Sequence, residues 1–161
     1  MPKLQHTDWP DRLWVLRHGQ SAGNVARDAA ELGGANLIDL EHRDADTPLS
    51  ALGERQAGAL AEWFASFNEN QRPTHLLSSP FVRAHQTCAA IALHLDIGLD
   101  GIGVDERLRE KEFGILDRYT VQGIRAKFPD LAEQRALVGK FYFRPPGGES
   151  WCDVILRLRS V

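Results

Sequence analysis

The chain has 161 residues, of which 43% are hydrophobic, 25% charged and 8% aromatic. That composition is globular, and the length suffices for one domain, residues 1–161, with a core of ordinary size. Nineteen basic residues against 22 acidic ones leave a net charge of −3. The balance argues against general nucleic-acid binding, though it leaves room for a local basic pocket. Cys88 and Cys152 are too few for a disulfide framework and fit no paired metal-ligand spacing, so a reducing, cytoplasmic setting is expected. No apolar run approaches the roughly 18 residues of a membrane span. The opening MPKLQHTDWPDR lacks the apolar stretch of a signal peptide.

In chain order, the first apolar run is Leu13 to Leu16, short enough for a buried strand. It ends in Arg17-His18-Gly19, and helix-compatible sequence begins near Ser21. Gly33 to Thr47 is polar and rich in turn residues, which predicts a loop. Ser50 to Phe67 carries Ala57, Leu60, Ala61, Phe64 and Phe67 close to a 3.6-residue stripe, which predicts a helix. A second strand is expected over Thr74–Ser78. Ser79 is placed to cap the next helix and Pro80 to open it. That helix, Phe81 to Leu95, is marked by Cys88, Ile91, Ala92 and Leu95 on one face. Ile97 to Glu106 reads as a glycine-interrupted extended segment, and Pro129, Pro145 and Pro146 punctuate the chain beyond it. A last helix opens at Ser150 with Asp153 in capping-box position, and Trp151, Val154, Ile155 and Leu158 share a face. The order strand, helix, helix, strand, helix predicts an α/β sandwich around a largely parallel sheet. The chain stops at Val161 inside that helix, and its strands are few for its helices, so the expectation is a chain cut short.

The segment with chemical content is Leu16-Arg17-His18-Gly19-Gln20-Ser21-Ala22-Gly23-Asn24. An imidazole at the C-terminal end of a strand, before a glycine turn and a helix start, is placed where open α/β sheets bind ligands. Glycine turns and helix N-termini offer backbone N–H groups to phosphate. Arg17 adds a guanidinium able to hold two oxygens at once. A histidine in that setting can act as a nucleophile that takes a phosphoryl group on nitrogen.

With its neighbours the segment resembles the histidine phosphatase superfamily, which includes cofactor-dependent phosphoglycerate mutases and fructose-2,6-bisphosphatases. R-H-G-[EQ]-S-x-x-N is met by Arg17, His18, Gly19, Gln20, Ser21 and Asn24. L-[ST]-x-x-G-x-x-Q-A is met by Leu49, Ser50, Gly53, Gln56 and Ala57. S-x-x-x-R-A-x-x-T is met by Ser79, Arg83, Ala84 and Thr87, and L-x-E-x-x-[FY]-G by Leu108, Glu110, Phe113 and Gly114. A P-P-G-G-E-S segment stands at Pro145 to Ser150. The resemblance implies a three-layer α/β/α fold of the phosphoglycerate mutase type, lacking its C-terminal strand or strands.

The resemblance also implies roles. His18 would be the catalytic nucleophile, and Arg17 and Arg83 would clamp the phosphoryl oxygens and stabilise transition-state charge. Asn24 would donate a further hydrogen bond to the phosphate. Glu110 would protonate the leaving oxygen and then activate water, which requires a carboxyl pKa raised toward neutrality. The arginines would supply the positive charge that a metal supplies elsewhere, so no metal and no cofactor is expected. The family also places a second essential histidine after the last helix. None of His6, His42, His75, His85 and His94 stands in the matching apolar-run–His–Gly context. His85 is two residues from Arg83, which on a helix turns it away, so a structural role is expected for it. The absent strand would pair with the first one, leaving an exposed edge and an uncovered apolar face. This form is expected to be less stable and far less active than a longer one.

Within the family, a monophosphatase is favoured over a mutase. Gly23 stands where the mutases carry Trp, Lys111 where an arginine follows their acid, and Val121 where they carry a lysine. Their long insertion with paired arginines is shortened to the stretch around Leu131 to Lys140. Fewer cations imply weaker retention of a bisphosphorylated intermediate, so water wins as acceptor. The expected partner is a small phosphorylated substrate, with no nucleic acid and no membrane; a homodimer is left open. The rival from another class is a phospholigand-binding module without turnover: the lost histidine favours it, and the retained Glu110 counts against it. His42-Arg43-Asp44 copies a kinase tripeptide without the asparagine or D-F-G that should accompany it. Asp44-Ala45-Asp46 comes after polar sequence rather than the buried strand of aspartate phosphatases. The Glu41-His42-Asp44-Asp46 run is expected to be a solvated loop rather than a metal site.

Overall fold

A computed structural model describes residues 10–161. The first nine residues, which hold His6 and most of the segment weighed against a signal peptide, lie outside the described residues. Among the described residues, six α-helices and a parallel pair of strands, joined by short 3₁₀ turns, make up the regular structure: α1 (Ala22–Leu32), α2 (Ala51–Ala65), β1 (Leu76–Ser78), α3 (Val82–His94), β2 (Ile102–Val104), α4 (Val121–Lys127), α5 (Pro129–Val138) and α6 (Trp151–Leu158). β1 and β2 pair in parallel with Leu76 opposite Ile102 and Ser78 opposite Val104. A parallel pair needs a crossover, and α3 is that crossover. It packs on both strands and along α2, so the expected α/β class holds.

The core grows from the apolar stripes of the two central helices. Ala61 and Phe64 of α2 meet Ile91 of α3, with Trp14, Leu60, Phe67, Leu76, Ala90 and Leu95 packed around them. Trp14 lies edge-on to Trp63 and Phe64, with ring centroids 5.5 and 5.3 Å away. Such edge-to-face contacts add to what burial alone contributes.

Leu13–Leu16 differs from its expected role. Among the described residues it pairs with no strand, and Leu13 and Val15 are 77% and 87% exposed. An apolar run reveals that a segment prefers burial but not which neighbour would supply the ladder bonds. Here the Trp14 side chain, not a ladder, ties the segment to α2. The Ser79-Pro80 start is corrected too. Phe81 is the residue before α3 and makes no side-chain cap, while the Ser79 hydroxyl accepts from the Phe81 N–H at 3.3 Å. Phe81 is extended, which lays its ring under the Arg83 guanidinium at 5.0 Å. The predicted strand over Thr74–Ser78 shortens to three residues.

α4 and α5 have no counterpart among the sequence expectations. Thr120 caps α4 by accepting from the Gly123 N–H at 3.0 Å. Pro129, expected as punctuation, stands in the first turn of α5, where its missing N–H is no loss. α5 buries no residue, so it carries no apolar stripe to announce it. α6 has the predicted capping box, Ser150 with Asp153, but of its apolar face only Val154 is buried. No helix among the described residues is long and apolar enough to cross a membrane.

Candidate active site

The turn that carries His18 is held by backbone against backbone. A Cβ on Gly53 would lie 1.9 Å from the Gln20 carbonyl oxygen, and one on Gly19 would lie 2.4 Å from that of Gly53. Neither position admits a side chain. Gln20 N–H donates to the Gln56 side chain at 2.8 Å, Ser50 N–H donates to the Gln20 carbonyl at 2.9 Å, and the Ser50 hydroxyl donates to the Gln20 side chain at 2.7 Å. The L-S-x-x-G-x-x-Q-A motif is thus the bed on which the R-H-G turn lies. Gly53→Ala is expected to push the turn off it and to destabilise the protein by about 2 kcal/mol, the scale of overpacking a close contact. A denaturant melt of the two proteins checks this.

From the other side, Gly19 N–H donates to the Thr87 hydroxyl at 3.2 Å, and that hydroxyl donates to the Arg83 carbonyl at 2.9 Å. Two of the sequence motifs therefore grip the same glycine. Ser21 caps α1, its side chain accepting from the Asn24 N–H while the Asn24 side chain accepts from the Ser21 N–H at 3.0 Å.

His18 and Arg83, 65 residues apart, meet here. The His18 Nδ1–H donates to the Gly19 carbonyl at 2.6 Å, and the Arg83 Nε–H donates to His18 Nε2 at 3.2 Å. These partners set the tautomer: the proton sits on Nδ1 and the lone pair on Nε2. Burial lowers the His18 pKa from its ordinary 6.5; the Gly19 hydrogen bond opposes this, Arg83 and Arg17 add to it, and Glu110 opposes it. Desolvation and two cations thus favour the neutral, nucleophilic ring.

Arg83 is 5% exposed, and its charge is met by Asp44. Nη1 and Nη2 each lie 3.1 Å from one oxygen of the Asp44 carboxylate, and Nη1 also donates to the Asp44 carbonyl at 2.5 Å. The sequence places Asp44 in what should be a solvated loop. It lies instead in a 3₁₀ turn (Asp44–Asp46) seated on the arginine, because a buried guanidinium needs acceptors and this turn supplies a carboxylate and a carbonyl. Nothing in the local sequence separates that role from a solvated one.

Of the other expected site residues, Arg17 and Glu110 lie near enough to act on the charge of His18. Arg17 is exposed next to His18 and acts on it through charge. Asn24 is half-buried; its side-chain oxygen is taken by the helix cap, which leaves its NH₂ as the donating end. Glu110 is exposed, accepts from the Lys111 N–H at 3.0 Å, and is near enough to His18 to raise its pKa. His85 makes no hydrogen bond to His18 or Arg83 among the described residues.

The segment bearing Glu110 is fastened by residues to which the sequence alone assigns no role. Glu149, of the P-P-G-G-E-S segment, accepts from Arg157 Nε at 2.8 Å, Arg109 Nη2 at 3.0 Å and the Glu112 N–H at 3.0 Å. Arg157 reaches onward to the Arg107 and Glu110 carbonyls. Hydrogen bonding from Arg157 leads the causes that hold the Glu149 pKa below its ordinary value; burial opposes it, and the Glu112 N–H and the charges of Arg157 and Arg109 add to it. Gly114, at φ +56°, meets Pro146 at a distance that excludes a Cβ. A cleft of about 270 Å³ adjoins the cluster, walled by Arg43, Asp44, Phe81, Lys111, Phe113 and Arg118 among others.

Comparison with known proteins identifies the family. The profile of the histidine phosphatase superfamily (branch 1) aligns with residues 13–161. A 6-phosphofructo-2-kinase/fructose-2,6-bisphosphatase of Caenorhabditis elegans is 32% identical over 155 residues, 94% of this chain and 28% of that protein. The fructose-2,6-bisphosphatase TIGAR of Xenopus tropicalis is 30% identical over 149 residues, 92% of this chain and 47% of that protein. Among solved structures, a mycobacterial glucosyl-3-phosphoglycerate phosphatase superposes with a TM-score of 0.67 at 32% identity, covering 90% of this chain and 58% of that one. The chain therefore spans between about a quarter and three-fifths of the length of these relatives. With a profile match over nearly its whole length, the chain belongs to the histidine phosphatase superfamily.

Proposed function

We propose that this chain hydrolyses phosphomonoesters of small metabolites through a phosphohistidine on His18. The observation that carries this reading is the His18 ring, held neutral by burial and pinned at Nδ1, with its Nε2 lone pair facing a buried arginine. Nε2 would attack phosphorus as the P–O bond to the leaving group breaks. Arg83, Arg17 and the Asn24 NH₂ would hold the three remaining oxygens. Glu110 would give its proton to the departing alkoxide. The resulting carboxylate would then take a proton from the water that cleaves the P–N bond, freeing inorganic phosphate and restoring His18. Glu110, exposed and near enough to act on His18, favours turnover over a module that merely binds, since binding an anion gains nothing from a carboxylate.

The positive charge this chemistry needs comes from Arg17 and Arg83, and the reaction is proposed to run without a metal. The half-buried Cys88 and Cys152, both free thiols, support a reducing cytoplasmic setting. The relatives named as acting on fructose-2,6-bisphosphate and glucosyl-3-phosphoglycerate support a phosphorylated sugar or sugar acid as substrate class, and the cleft beside Asp44 has the walls to receive its leaving group. The test is hydrolysis of p-nitrophenyl phosphate in EDTA, with His18→Ala as control. Turnover that survives EDTA and vanishes in the variant is expected. Equal rates for the two proteins would overturn the role of His18, and loss of turnover in EDTA would overturn the metal-free chemistry.

A further inference from the structure

We propose that Asp44 is an internal anion that occupies the phosphate-binding edge of Arg83 and must be displaced before a phosphoryl group can bind. The inference rests on the reading of His18 and Arg83 as the phosphate site. Its basis is geometric. The Asp44 carboxylate faces the guanidinium with both oxygens at 3.1 Å from the two terminal nitrogens. Nη2–H donates to one carboxylate oxygen and Nη1 pairs with the other by charge while donating to the Asp44 carbonyl, so the carboxylate lies across the edge by which a guanidinium can fork two phosphate oxygens. The third donor, Nε–H, is spent on the His18 lone pair. In this state the nucleophile and the clamp satisfy each other and a resident carboxylate satisfies the remainder.

The two partners differ in mobility. The Arg83 side chain is 6% exposed, whereas that of Asp44 is 41% exposed, so the carboxylate is the group that can swing out. The turn beneath it is secured by other bonds. Arg43 Nε donates to Asp46 at 2.8 Å, the Thr47 hydroxyl donates to the Arg43 carbonyl at 3.0 Å, and Arg118 donates to the Leu40 and His42 carbonyls at 3.0 and 2.7 Å. Rotation of the Asp44 side chain can therefore free the fork while its carbonyl keeps its bond to Nη1. An entering phosphate takes over the fork and the Nε–H, and Nε2 is uncovered at the moment phosphorus arrives. A ligand that binds only the open state loses apparent affinity in proportion to how seldom that state is populated. That factor is the same for every anion that needs the open fork.

The experiment measures binding of inorganic phosphate to the full chain by isothermal titration, in the parent protein, Asp44→Asn, Asp44→Ala and Asp46→Asn. Both Asp44 variants are expected to bind phosphate roughly 5- to 10-fold more tightly. Asp46→Asn, which removes the same charge two residues away, is expected to change affinity less than twofold. Unchanged or weaker binding in the Asp44 variants overturns the latch, because a carboxylate that merely orients Arg83 would leave phosphate worse bound once removed. Equal tightening by Asp46→Asn overturns it as well, in favour of a general charge effect. Arg83→Ala separates the two levels of the reading. If it abolishes phosphate binding while the Asp44 variants match the parent, the phosphate site stands and the latch falls. If it leaves phosphate binding intact, both fall.

Discussion

Arg83→Ala should lower the turnover of p-nitrophenyl phosphate about 10³-fold, the scale on which a guanidinium aimed at a transferring phosphoryl group acts. The loss should appear mainly in kcat, because transition-state charge is what the fork stabilises. The same substitution should raise the His18 pKa, since Arg83 is one of the causes that lower it, after burial itself. A histidine with a depressed native pKa contributes stability that is fully present above its unfolded value of about 6.5 and is lost as pH falls through the native value. Removing Arg83 narrows that window, so the variant's melting temperature should fall less steeply on acidification. An NMR titration of the His18 ring and a kinetic comparison check the two halves. A variant that keeps kcat, or whose His18 titrates as in the parent, would show that the 3.2 Å contact does nothing for the nucleophile.

Glu149→Ala should be the most destabilising substitution outside the catalytic cluster, by about 3 kcal/mol. The Glu149 and Arg157 side chains are 14% and 12% exposed, so truncation strands a guanidinium that water reaches poorly. For a chain of this size that is a fall of roughly 10 °C in melting temperature. Glu149→Gln, which keeps the shape and loses the charge, should lie between variant and parent. Because the Glu149 pKa is lowered in the native state, its contribution is present above its unfolded value and fades as pH falls through the native one. Parent and Glu149→Ala should therefore converge in stability at acid pH. Melts at neutral and acid pH read both effects. Since Glu149 and Arg157 fasten the strand of chain that presents Glu110, turnover should fall with stability.

How legible a residue's place is in the sequence depends on what kind of neighbour it needs. His18 and Arg83 are paired at the sequence level only through the resemblance to the family whose motifs carry both, and the folded chain holds them 3.2 Å apart. The stripe of α2 is legible because Ala57, Ala61 and Phe64 are buried on one side of it. Asp44 is not, since a carboxylate in a polar loop has the same local sequence whether it faces water or a guanidinium 39 residues on. Leu13–Leu16 suggests a strand by its apolarity, which states a preference for burial and is silent about ladder partners. α5 is hidden because it buries no residue, so it lacks the period by which a helix is recognised.

The glycine contact between the His18 turn and the first turn of α2 has a consequence for how such a protein can change. The imidazole is registered by main-chain atoms from two elements, while the walls of the adjoining cleft come from the loop between α1 and α2 and from the segment around Lys111. Substitutions in those walls leave the Gln20–Gly53 seam alone, and only Asp44 and Phe81, which touch Arg83, belong to the walls and the cluster alike. The cleft can thus change its lining at the other wall positions while the His18 ring keeps its main-chain support. Support of the imidazole and shape of the cleft are, in this architecture, encoded largely by different residues.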